Sequence, residues 1–167
     1  MTGPRKENRG RNAAAANRRA LIAAALEVFA DGGFEAPLSA VAKRAGVGQG
    51  SLYRHFPDRI GLAVAVFEDN VVQLEAMADD PTSTLDDMLT LITDKTIESV
   101  AFVEMVTSAI DDPRMTAVVA RVRAALAVPL RDARRSGKVR ASVGTDELML
   151  AVSMVAALVA KVSVDTR

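Results

Sequence analysis

Tyr53, Arg54 and His55 set a phenol, a guanidinium and an imidazole on consecutive residues, and they include the only Tyr and the only His among 167 residues. Gln49 and Ser51 stand just upstream. All five side chains can donate hydrogen bonds, and Arg and Gln can hold a base edge with two bonds at once. Such a set suits phosphate oxygens and the edges of nucleic-acid bases. It does not suit catalysis, because no Cys, no second His and no paired acid and base are present to activate a substrate. With one His and no Cys, a zinc set is not expected either, and no cofactor is implied.

The charge distribution agrees with a polyanionic partner. The net charge is zero, yet residues 1–59 hold ten Lys/Arg against five Asp/Glu, while residues 60–167 hold eleven against sixteen. A basic first third on an acidic remainder points the first third towards nucleic acid. Residues 1–12, MTGPRKENRGRN, lack any apolar residue after Met1 and read as a disordered basic arm, either solvated or laid along DNA.

The elements that must position these side chains are helices. Asn17 is placed to cap a first helix running to Ala30, with Leu21, Ile22, Ala25, Leu26, Val28 and Phe29 at helical spacing. Gly32-Gly33 ends it. Pro37 suits the start of a second helix that buries Leu38, Val41, Ala42 and Ala45 and stops at Gly46. After Gly48-Gln49-Gly50 a third short helix runs to Phe56, and Pro57-Asp58 introduces a fourth, over 58–78. Its Ile60, Val64, Phe67, Val71, Leu74 and Ala78 recur at steps of three and four, as a seam facing another helix does. Further helices are expected from Leu85, over 99–110, from Pro113 to Arg135 with Pro129 inside as a kink and Gly137 as its end, and over 146–164 after an Asp146 cap. No run alternates long enough for a strand, and the fold class is all-α.

Two targeting signals are set aside. Glu27 interrupts the apolar run of ALIAAALEVFA, which has helical rather than leader character. LMLAVSMVAALVA, residues 148–160, is shorter than the roughly 20 residues a membrane span needs. A cytoplasmic protein without a membrane partner is expected.

Two helices joined through AGVGQG make a helix-turn-helix. At about 100° per residue, Leu52 and Phe56 face the core, Arg54 points away, Gly50 and Ser51 flank it, and Tyr53 and His55 lie on its shoulders. Each has a plainer reading: His55 and Arg54 as surface side chains, Tyr53 as a packing ring, Lys43 and Arg44 as a general basic rim.

Residues 17–67, with ALEVFADGGFEAPLSAVAKRAGVGQGSLYRHFPDRIGLAVAVF, resemble the TetR family of bacterial transcription regulators. The match lies in Phe29-x-x-x-Gly33-Phe34, then Val41-Ala42-x-x-Ala45-Gly46-Val47, then Ser51-Leu52-Tyr53-x-His55-Phe56. The resemblance implies an N-terminal three-helix helix-turn-helix domain followed by a helical ligand-binding and dimerisation bundle. By residue it implies a disordered basic arm over 1–16, a DNA-binding domain over 17–59, and an effector-binding and dimerisation domain over 60–167. It carries DNA contacts to Gln49, Gly50, Ser51, Tyr53, Arg54 and His55, and to Arg59, where the family usually has a phosphate-binding Lys. The sequence departs from the pattern at Ala36-Pro37, which replaces the usual Thr/Ser cap, with Ser39 as a substitute contact. It departs again at Gly48, which replaces a Ser. The family's order also implies one more helix beyond 146–164, so the dimer interface is either reduced or supplied by another segment.

Phe67, Met88, Ile92, Phe102, Met105 and Met149 are candidates to line an effector pocket, with plain core packing as the alternative; Met-rich walls adapt to varied apolar ligands. Thr96 and Thr107 add little polar specificity. The expectation is a ligand-responsive regulator, a repressor, that binds a palindromic double-stranded DNA operator as a homodimer and answers a small apolar effector. The competing reading is a constitutive architectural DNA-binding protein without an effector.

Overall fold

The structure, a computed structural model, describes residues 5–98, 109 and 111–165. Among these, seven helices and no strand are present: α1 Arg5–Gly32, α2 Leu38–Arg44, α3 Gln49–His55, α4 Arg59–Asp79, α5 Leu85–Glu98, α6 Pro113–Arg135 and α7 Thr145–Asp165. Apart from Ala109, the residues of the helix expected over 99–110 lie outside the described ones. No helix among those described is long and apolar enough to cross a membrane. Contacts divide the chain into two compact units, Met1–Val66 and Phe67–Arg167, so the division falls inside α4.

In the first unit α1, α2 and α3 pack on one another. Leu21, Ala24, Ala25 and Phe29 of α1, Phe34 and Ala36 of the following loop, Val41 and Ala42 of α2, and Leu52 and Phe56 around α3 are all buried. Leu26, expected in this core, is exposed. Phe29 and Phe34 meet edge to face at 5.8 Å. Three glycines in the left-handed region close helices, as their positions led one to expect: Gly33, Gly46 and Gly137.

Two expectations need correction. The first helix begins at Arg5, not at Asn17, which sits well inside it. Ala13–Ala16 is the strongest helix-forming run in the chain, and it carries the helix back through residues that composition alone marked as an arm. The seam of α4 also shifts. In its first turns Leu62, Ala63, Ala65 and Val66 are the buried residues while Ile60 and Val64 are half-buried; from Phe67 onward, Phe67, Val71 and Leu74 are buried as expected.

In the second unit α5, α6 and α7 pack together around Leu85, Met88, Leu126, Leu130 and Leu148, with Leu74 of α4 in the same cluster. Their ends are fixed locally. Thr84 precedes α5 and exchanges hydrogen bonds with Asp87, whose carboxylate accepts from the Thr84 N–H at 2.9 Å while the Thr84 hydroxyl accepts from the Asp87 N–H at 3.3 Å. Asp112 caps α6 by accepting from the Arg114 N–H at 2.9 Å, with Pro113 in the first turn. The helix continues through Pro129. Arg121 of α6 forks onto Glu75 of α4 with two bonds of 2.7 Å and donates a third, of 2.5 Å, to Glu68. Arg123 of α6 pairs with Asp146 of α7.

Candidate nucleic-acid interface

The turn between α2 and α3 is held by backbone bonds alone. The Val47 N–H donates to Ala42 O at 3.0 Å and the Gly46 N–H to Lys43 O at 3.2 Å, with Gly46 at φ +64. This paired closure, with a left-handed residue at its corner, turns the chain sharply and sets the angle between the two helices. Leu52 and Phe56 then anchor α3 in the core. Gly48 caps α3 with no side-chain bond, the weaker cap its residue type suggests.

With α3 pinned on that side, the remaining side chains are sorted by geometry. Gln49, Gly50 and Arg54 are exposed, and Ser51 and His55 half-buried. Tyr53 is 52% exposed, so its ring is not a core element. The His55 ring lies tilted beside Phe56 at 6.3 Å. Ser39 is exposed in the first turn of α2, and Lys43 is exposed in its last. These residues lie on or beside one short exposed helix face, an arrangement of donors without carboxylates that can meet phosphate and base edges.

Arg59 departs from expectation. Its guanidinium donates to the carbonyl oxygen of Phe34 and, at 2.6 Å, to that of Ala36. It also lies over the Phe34 ring at 5.3 Å. The side chain expected to reach a phosphate is therefore turned inward onto the α1–α2 corner. The planar guanidinium of Arg stacks and forks where the family's Lys cannot. Two further bases are engaged internally. Arg18 of α1 stacks over the Phe56 ring at 5.4 Å, and Arg44 pairs with Glu27 at 2.6 Å. Sequence reasoning missed both roles for Arg18 and Arg59, since each depends on a ring brought close by tertiary packing; the one visible signal was an aromatic residue at each helix end.

Of the six residues expected around an effector, four lie among the described residues. Met88 is fully buried, and Ile92 and Met149 pack against the same cluster. Phe67 is buried, and Phe102 and Met105, like Thr107, lie outside the described residues. Thr96 is buried with its hydroxyl bonded to Ile92 O at 2.8 Å. A cavity of about 390 Å³ opens between the α4–α5 loop and the end of α6, beside Pro81, Leu85, Pro129 and Asp132.

Comparison with known proteins addresses the chain directly. Residues 21–66 match the family model described as bacterial regulatory proteins, tetR family. No curated protein matches the chain. Among solved structures, a TetR transcription regulatory protein from Mycobacterium vanbaalenii is similar at 28% identity and a TM-score of 0.61, covering 90% of this chain and 96% of that one. A TetR-family regulator from a Rhodococcus species is similar at 24% identity and 0.58, over 89% and 86% of the two chains. A TetR regulator from Streptomyces coelicolor follows at 23% and 0.58, over 84% and 85%, and shares the all-helical order. The matched segment is the one that builds the glycine-cornered turn and its exposed helix, so residues 21–66 are similar to the DNA-binding part of bacterial tetR-family regulators, and most of the chain is similar in fold to a solved member.

Proposed function

We propose that the chain is a ligand-responsive repressor that binds a palindromic operator as a homodimer, with Gln49, Ser51 and Arg54 reading bases and Tyr53, His55 and Ser39 meeting phosphates. The observation that carries this reading is the exposed face of α3, held at a fixed angle by the Gly46 corner and free of acidic neighbours on the helix itself. Gly50 brings the backbone within reach of DNA there, since no side chain stands in the way. Two-fold symmetry would seat the two copies of α3 about 34–36 Å apart on successive major grooves.

Duplex binding by the full chain, followed by fluorescence anisotropy, tests the reading. Two copies making about six phosphate contacts lose roughly a thousandfold in affinity between about 50 and 200 mM salt. Arg54→Ala is expected to relax preference at one base position per half-site by about 1–3 kcal/mol. Affinity that stays flat across the salt series sinks the proposal. A uniform loss over all sequences for Arg54→Ala would reassign Arg54 to phosphate.

One observation favours the alternative of a constitutive DNA-binding protein. Met88 is buried in one cluster with Leu126 and Leu148, and Ile92 and Met149 pack against it, as in an ordinary core. A panel of apolar ligands separates the two readings: a repressor loses operator affinity with one of them, and a constitutive binder with none.

A further inference from the structure

Residues 36–59 run from the α1–α2 corner through α2, the Gly46 turn, α3 and the Phe56-Pro57-Asp58 link to the first residue of α4. Arg59 joins the end of that path to its beginning, because its guanidinium donates to Phe34 O and Ala36 O and stacks on Phe34. The corner it grips is the entry to α2: Ala36 is buried and turned by its own N–H to Gly33 O at 3.2 Å, and Pro37 follows as the extended cap of α2. The side chain is half-buried, and two of its faces are already engaged. Taken from this geometry, and resting on the DNA-binding reading above, we infer that Arg59 is a positioning residue. It closes the helix-turn-helix into a ring and so fixes the placement of α3 relative to the entry of α2, without itself touching DNA.

The physical reasoning is specific to a planar fork. One guanidinium can donate to two carbonyls while lying on a ring, whereas an ammonium is a point charge that keeps its water and cannot do both. A phosphate contact makes the opposite demand, since a Lys serves there nearly as well as an Arg. The two roles therefore respond differently to Arg59→Lys.

The test uses the full chain and two labelled duplexes. One is enriched by the wild-type protein from a randomised pool of about 30 base pairs, long enough for two half-sites; the other is an unselected duplex of the same length. Wild type, Arg59→Lys and Arg59→Met are compared well below their unfolding temperatures, with helicity checked by circular dichroism. The expected result is that Arg59→Lys and Arg59→Met both lower the preference for the selected duplex by about tenfold, the size of one lost base contact. The slope of affinity against salt stays at its wild-type value. Should Arg59→Met not fold, the Lys variant alone decides, because it keeps both charge and stem. Wild-type behaviour of Arg59→Lys, with a salt slope reduced by about one per subunit in Arg59→Met, would make Arg59 a phosphate ligand and overturn the inference. Lower melting temperatures with unchanged preference would make it a structural residue only, and overturn it as well. If wild type itself enriches no duplex, the DNA-binding reading falls, and this one with it.

Discussion

A methyl group added at Gly46 and one added at Gly50 act in opposite directions. Neither would meet an atom within 4 Å, so packing does not decide the outcome. Gly46 is held at φ +64, where a side chain strains against its own backbone. Gly46→Ala is expected to cost about 1–2 kcal/mol. Gly50 lies inside α3 with ordinary helical geometry, and Gly50→Ala removes unfolded-state freedom, gaining about 0.5–1 kcal/mol. Urea denaturation of the two variants checks both signs. If α3 faces DNA as proposed, Gly50→Ala also loses duplex affinity while gaining stability, which separates a residue kept for the fold from one kept for approach to the nucleic acid.

At the scale of elements, the ion pairs and caps of the second unit set an acid limit. Asp112 is held at about 2, below its ordinary 3.8, first by the Arg114 side chain and then by the Arg114 N–H. Glu75 is lowered by its hydrogen bonds with Arg121, and Asp87 by those from Thr84. A carboxylate lowered on folding contributes stability that is complete above its unfolded pKa and is lost as pH falls through its folded one. Melting temperature is therefore expected to hold above about pH 5 and to decline between about 4.5 and 2. Asp112→Asn keeps a capping side chain but removes its titration, and should make the lower part of that decline shallower. Glu75→Gln should also make the decline shallower, and a decline identical to wild type in both would discount these pairs. The caps at Gly46 and Gly137 were legible in the sequence because a glycine after an apolar helical run has few other uses. The start of α1 was not, because the charged residues before Asn17 look like an arm until the Ala13–Ala16 run is weighed as a helix former. Nor was the Arg121 fork legible: Glu68 and Glu75 share a face of α4, but the base that joins them lies 53 and 46 residues away, respectively. At the interface, the spacing of Leu52, Arg54 and Phe56 exposed the outward face of α3, while the inward turn of Arg59 depended on two carbonyls that only tertiary packing brings near.

At the scale of the whole molecule, α7 presents Leu150, Met154 and Leu158 at steps of four, each more than 60% exposed, on the side away from buried Leu148. We assign this stripe to the partner copy in the proposed homodimer; a face that apolar is otherwise left to water. Met154→Glu with Leu158→Glu is expected to convert a dimer to a monomer in sedimentation equilibrium, while α5, α6 and α7 keep their helicity because neither residue joins their core. A wild-type chain already monomeric at high concentration would remove the assignment. The same stripe would govern dosage. A pair held chiefly by one stripe would come apart when the protein is scarce, and only the paired form would span both half-sites. Operator occupancy would then follow about the square of protein concentration below the dissociation point of the pair. A cell making twice as much of this chain would raise occupancy about fourfold there, so the exposed side chains of α7 would give the regulated promoter a threshold rather than a graded response.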